Sequence, residues 1–172
     1  MMTDTTSAST RTHTFTWQDP MIGAQAALTM SGLEYFQAIA RGEIPFAPIT
    51  DVMQITVETV EAGRVVFKAT PAEYLFNPIG TIHGGFAATV LDGAMGCAVH
   101  STLPRGTGYT TAELHINYIR PIFATTGTML CEGKIIHSGR KMATAEGRLV
   151  DADGKLYAHG TTTCIILSQE GT

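Results

Sequence analysis

At 172 residues with 44% hydrophobic content, the chain has the length and apolar material for one ordinary core, so a single folding unit is expected. The net charge of -4, with only 11 Lys and Arg spread thinly along the sequence, provides no basic stripe for a phosphate backbone and excludes nucleic acid as a partner. Cys97, Cys131 and Cys164 have no CxxC spacing and cannot all pair, which points to small core residues in a reducing cytosol.

Residues 1–19 are rich in Thr and Ser and poor in large apolar side chains, and are expected to form a flexible N-terminal tail. They lack the basic start and apolar run of a secretory signal, so export is not implied and a cytoplasmic location is expected. The apolar stretch from Met21 to Met30 is too short to cross a bilayer and contains Gln25 and Thr29, so no membrane association is expected. One domain is expected over 20–172, opening with a helical segment at 20–45. Pro20 suits a first helical turn, and Ser31 can cap a second helix in which Leu33, Phe36 and Ile39 recur at helical spacing before Gly42 and Pro45 end it. After Pro48 the period shortens: Val52, Ile55 and Val57, then Glu61-Ala62-Gly63, then Val65, Val66 and Phe67 predict a β-hairpin.

A loop containing Phe76-Asn77-Pro78-Ile79-Gly80 leads to His83-Gly84-Gly85, and from there to about Ser101 the chain is rich in Ala. Asp92 is the only ionisable carboxyl or amine before His100 in that run. A helix apolar around most of its circumference belongs inside a structure. Four strand-like runs follow, at roughly 108–119, 126–137, 141–151 and 156–167, with Asp153-Gly154 as the clearest turn. Together these predict an α+β fold with a mainly antiparallel sheet curled around its helix.

A carboxylate in such a helix is costly unless something is gained by it, which makes Asp92 a candidate nucleophile or general base. Gly84 and Gly85 have no side chains, so a ligand can approach their backbone N–H groups closely at the positive end of the helix, where a developing oxyanion would be stabilised. Asp92 lies eight residues beyond Gly84, about 12 Å along a helix. If both act on one bond they must come from two copies of the helix related by a two-fold axis.

The run Asn77-Pro78-Ile79-Gly80-Thr81-Ile82-His83-Gly84-Gly85, then Asp92, then His115-Ile116-Asn117-Tyr118-Ile119-Arg120-Pro121, resembles the hotdog-fold acyl-CoA thioesterases of the phenylacetic-acid-pathway type, over about residues 30–168. The resemblance implies a long helix wrapped by a sheet, two subunits pairing into one continuous sheet as a homodimer, and dimers that commonly form homotetramers. It implies an acyl-CoA substrate, with Asp92 as the catalytic carboxylate, Gly84 as the backbone donor and Asn77 positioning the thioester or water. His83 would shape the same corner, and Thr111 would hold water near the carboxylate. Phe76, Phe86 and Met95 are expected to line the acyl pocket beside Gly85, and Arg120, Arg140 and Lys141, at strand ends or turns, to meet the phosphates of CoA.

No cofactor is required by this chemistry. The six histidines are far apart and form no HExxH or other metal spacing, so no catalytic metal is expected. There is no GxSxG elbow, P-loop or dinucleotide fingerprint. Two other readings stay open: a hotdog hydratase or dehydratase, although its His-Phe-Pro and Gly-Asp-x-Asn-Pro runs are absent, and a non-catalytic acyl-CoA binding protein.

Overall fold

Asp19 accepts a hydrogen bond from the Met21 N–H at 2.9 Å and Pro20 supplies the preset φ of a first turn, so helix α1 begins there and runs over Pro20–Thr29 in the computed structural model, which describes residues 9–168. Helix α2, Gly32–Ala40, opens on a capping box: Ser31 Oγ accepts from the Glu34 N–H, and the Glu34 carboxylate accepts from the Ser31 N–H at 2.9 Å. Between them they satisfy two of the donors that a helix start leaves unpaired. The five residues Pro48–Val52 form a further short helix, α3, which places Val52 outside the expected hairpin. Pro48 starts it and the Thr50 hydroxyl donates to the Ala47 carbonyl at 2.6 Å, a local arrangement too short to leave a period in the sequence.

The hairpin itself is β1, Ile55–Glu61, and β2, Arg64–Ala69, turning at Gly63 with φ 79°. Helix α4, Gly84–His100, is followed by β3 (Thr107–Tyr118), β4 (Met129–Ser138), β5 (Met142–Val150) and β6 (Leu156–Ser168), close to the four predicted runs. All pairings are antiparallel, in the order β1-β2-β4-β5-β6-β3, which leaves β1 and β3 as the edges.

The sheet curls round α4 because its centre has no side chains where the helix crosses. Gly133 and Gly147 face each other on β4 and β5, and a Cβ at Gly133 would lie 2.2 Å from the Ala94 carbonyl oxygen. Phe67, Phe86, Leu91, Met95, Met129 and Leu149 fill the space on either side of that contact, each contributing about 2 kcal/mol by its burial. Phe86 and Met95, expected to line a substrate pocket, therefore belong to the core, 1% and 0% exposed. Met95 lies on the face of α4 turned to the sheet, where it abuts Gly147.

Of the stretch expected as a tail, residues 1–8 lie outside the described part, and residues 9–19 form no helix or strand. They run along the surface with His13 and Phe15 against the ring of Tyr74 and Arg11 paired with Glu73. Among the described residues no helix is long and apolar enough to cross a membrane.

Candidate active site

The loop before α4 is stiffened by its own side chains. Asn77 Oδ1 accepts from the N–H groups of Ile79 and Thr81, both at 3.1 Å, and its Nδ2 donates to Thr81 Oγ1 at 2.8 Å. The Asn77 side chain is thus engaged in shaping the loop, a role that Asn fills well beside a proline. Phe76 bridges Ile82 across the loop and is 40% exposed. The His83 N–H donates to the Leu75 carbonyl at 2.8 Å, tying the far end of the loop to a 3-10 turn at Glu73–Leu75.

His83 is the N-cap of α4, and its Nδ1 accepts from the Gly85 N–H at 2.9 Å, which places the ring proton on Nε2. The Phe86 N–H donates to the His83 carbonyl. Between them the Gly84 N–H has no hydrogen-bond partner among the described residues. Gly84 lines a cavity of about 330 Å³ together with His83, Ala87, Tyr118, Arg120 and their neighbours. The ring of Tyr118 covers Gly84 so closely that a Cβ there would stand 3.3 Å from it.

Two turns along the same helix, the half-buried Asp92 accepts a hydrogen bond from Thr111 Oγ1 at 2.9 Å. Thr111 and Tyr118 are seven positions apart on β3, so an unbroken strand would point them to opposite faces. A bulge between Thr111 and Glu113 reverses the alternation, and both side chains reach α4. One turn beyond Asp92, the Tyr109 hydroxyl rests on Gly96, where a Cβ would come within 2.5 Å of it.

The other groups near Asp92 hold their protons. Burial pushes the Tyr109 hydroxyl up, with Cys97, Cys164 and Asp92 adding to it. Burial likewise raises the Cys97, Cys131 and Cys164 thiols, and an apolar setting of this kind makes a cysteine inert.

The structure thus brings Asp92 to Thr111, and His83 and Gly84 to Arg120, but keeps the two sets at separate positions along α4. Arg120 also donates to the Leu156 carbonyl. Arg140 and Lys141 lie elsewhere, in a groove of about 570 Å³ with Thr102, Leu103 and Thr107 at the C-terminal end of α4. Sequence reasoning missed the positions of Tyr109 and Tyr118 against the helix. Their aromatic character on a predicted strand was visible, but the bulge that turns Tyr118 to the face of Tyr109 and Thr111 was not.

Comparison with known proteins bears on this geometry. A model of the thioesterase superfamily matches residues 79–158. Acyl-coenzyme A thioesterase 13 of Homo sapiens is 30% identical over 112 residues, 64% of this chain and 78% of that protein. The solved structure of a phenylacetic acid degradation-related protein from Ralstonia eutropha is 28% identical, covers 76% of this chain and 98% of its own, and superposes with a TM-score of 0.69. A protein of Bacillus halodurans solved with CoA is 30% identical, with 73% of this chain and 82% of that one covered and a TM-score of 0.65.

Proposed function

The chain belongs to the thioesterase superfamily and has its hotdog fold, and from that premise we propose that it hydrolyses an acyl-CoA thioester at a site shared between two subunits. The observation that carries the reading is the placement of an uncommitted Gly84 N–H and the Thr111-bound Asp92 on one helix, about 12 Å apart. That separation is too long for one carbonyl. A second copy, with its α4 antiparallel to the first, would bring its Asp92 beside Gly84 and make two equivalent sites per dimer.

The edge strand β3 supports such a pairing. It is twelve residues long, and its outer backbone groups have no neighbouring strand among the described residues. Leu114, Tyr118 and Ile119 expose apolar surface along and just beyond it. A bare edge of this kind is a template for pairing with another strand.

In this site the thioester oxygen accepts from the Gly84 N–H, and the negative charge it gains is stabilised by the α4 dipole. Asp92 of the other subunit either attacks the carbonyl carbon or takes a proton from an attacking water, while the Thr111 hydroxyl fixes the carboxylate. The C–S bond breaks, the thiolate of CoA leaves and takes up a proton, and water supplies the oxygen of the free acid. Arg120, in the Gly84 cavity, and Arg140 with Lys141, at the opposite end of α4 and so near it only across a dimer, would meet CoA phosphates in such an assembly.

The test is thiol release from a panel of aryl and aliphatic acyl-CoAs. Asp92→Asn is expected to lower release by about a thousand-fold with the oligomer intact. Release that ignores Asp92, or none from any thioester, would contradict the reading. A saturated acyl-CoA in the panel separates hydrolysis from hydration chemistry, which leaves it intact.

A further inference from the structure

The match to the thioesterase superfamily model begins at residue 79, and residues 11–15, well ahead of it, make ordered contacts with the turn that leads to Gly84. We propose that Arg11, His13 and Phe15 form a strap that holds Tyr74, and that Tyr74 is a positioning residue which keeps the Gly84 N–H aimed at the thioester. The second half of this statement rests on the reading of the site given above.

The connections run without a break from the strap to the helix. His13 lies 4.3 Å from the Tyr74 ring and 4.4 Å from Phe15, and Phe15 meets Tyr74 edge-on at 5.3 Å, so three rings form one cluster. Arg11 pairs with Glu73 next to it, but that pair is largely exposed and contributes little. The rings carry the attachment. Below them the Tyr74 hydroxyl accepts from Gln54 Nε2 at 2.9 Å and donates to the Val52 carbonyl at 3.1 Å, which anchors the tyrosine on the end of α3 and its link to β1. Tyr74 is the middle residue of the turn Glu73–Leu75, and the Leu75 carbonyl accepts from the His83 N–H. His83 is the N-cap of α4, one residue before Gly84.

A donor helps a transition state only if it is already aimed when charge develops, and sub-ångström errors in its position are expensive. Asn77 stiffens the loop from within, while the bond from His83 to Leu75 ties it to the turn. The strap clamps that turn from outside. Releasing the strap should therefore loosen the His83 amide and blunt the chemical step, with substrate affinity little changed.

The experiment uses the full chain with His13→Ala, His13→Phe and Tyr74→Ala, and reads both amide exchange at His83 and thioester kinetics. His13→Ala and Tyr74→Ala should speed exchange of the His83 amide by about ten-fold, the loss of aromatic contacts of ordinary strength. They should lower kcat by about ten-fold with KM held within about two-fold, while His13→Phe, which keeps the ring, restores both. Unchanged exchange in His13→Ala overturns the strap whatever the activity. Faster exchange with an unchanged kcat overturns the positioning role. A native protein that hydrolyses no thioester would remove the functional reading separately, and the exchange of His83 would still decide whether the strap exists.

Discussion

The two ends of α4 are finished differently. A helix leaves unpaired carbonyls at its C-terminus and unpaired N–H groups at its N-terminus. At the C-terminal end the protein supplies all the partners: Ser101 N–H for Cys97, Ser101 Oγ for Ala98, Thr102 for Val99 and Leu103 N–H for His100. Helix α2 then closes over this end, with Gly32 against the His100 carbonyl and the buried His100 ring among Tyr35, Phe36 and Tyr109. At the N-terminal end His83 covers Gly85 and leaves Gly84 open to a cavity. One end is sealed, and the other leaves a donor unpaired beside a cavity. The ends should therefore answer to mutation in different measurements.

Gly84→Pro is the sharpest way to break the open end. Proline is accommodated at the first helical position, and His83, at φ -60° and ψ 138°, already has the extended backbone that precedes a proline. The change removes the N–H and should lower kcat by about a hundred-fold, the usual loss for one oxyanion donor, while the new Cβ, 3.3 Å from the exposed Tyr118 ring, makes that ring shift and costs about 1 kcal/mol in chemical denaturation. Gly32→Ala is the counterpart at the sealed end. The new Cβ would fall 1.7 Å from the His100 carbonyl oxygen, so backbone must move, and denaturation at fixed protein concentration should show a loss of about 3 kcal/mol while the folded fraction keeps its kcat. A fall in kcat for Gly32→Ala, or a fall in stability alone for Gly84→Pro, would dissolve the distinction.

The smallest expected effect is a pH dependence confined to the sealed end. Burial lowers the His100 pKa from its ordinary 6.5, so below that pH the unfolded chain takes up a proton that the folded one refuses. Stability should fall as the pH drops from 6.5 toward the folded-state pKa of His100, and His100→Phe should flatten that part of the curve. A slope unaffected by the substitution would assign it to other groups.

Much of this architecture was legible in the sequence. The buried helix followed from a run in which Asp92 stands alone among apolar and small residues, and the four strands after it from β-rich runs bounded by Gly and Asp-Gly turns. Ser31 announced α2 as a cap ahead of Leu33, Phe36 and Ile39 at helical spacing; the reciprocal bond from Glu34 emerged only from the structure. What escaped was set by contacts between distant segments. α3 is a single turn over Pro48–Val52, too brief for a period to show. Phe86 and Met95 looked like pocket lining because a helix apolar on every side does not declare which face meets the sheet. The bulge beside Thr111 has no sequence mark of its own, and with it went the orientation of Tyr118. Asn77 was read as a site residue from its motif, and its hydrogen bonds place it in the loop's own frame.

The claim on which everything else depends is that Gly84 of one subunit works with Asp92 of the other. Co-expressing Gly84→Pro and Asp92→Asn chains under two tags, and purifying the heterodimers that carry both, tests it directly. Each parent alone is nearly inactive, but a heterodimer has one site with both lesions and one with neither, so activity should return to about half the native value. Activity that stays at the level of the parents would place the whole site within a single chain and contradict the account.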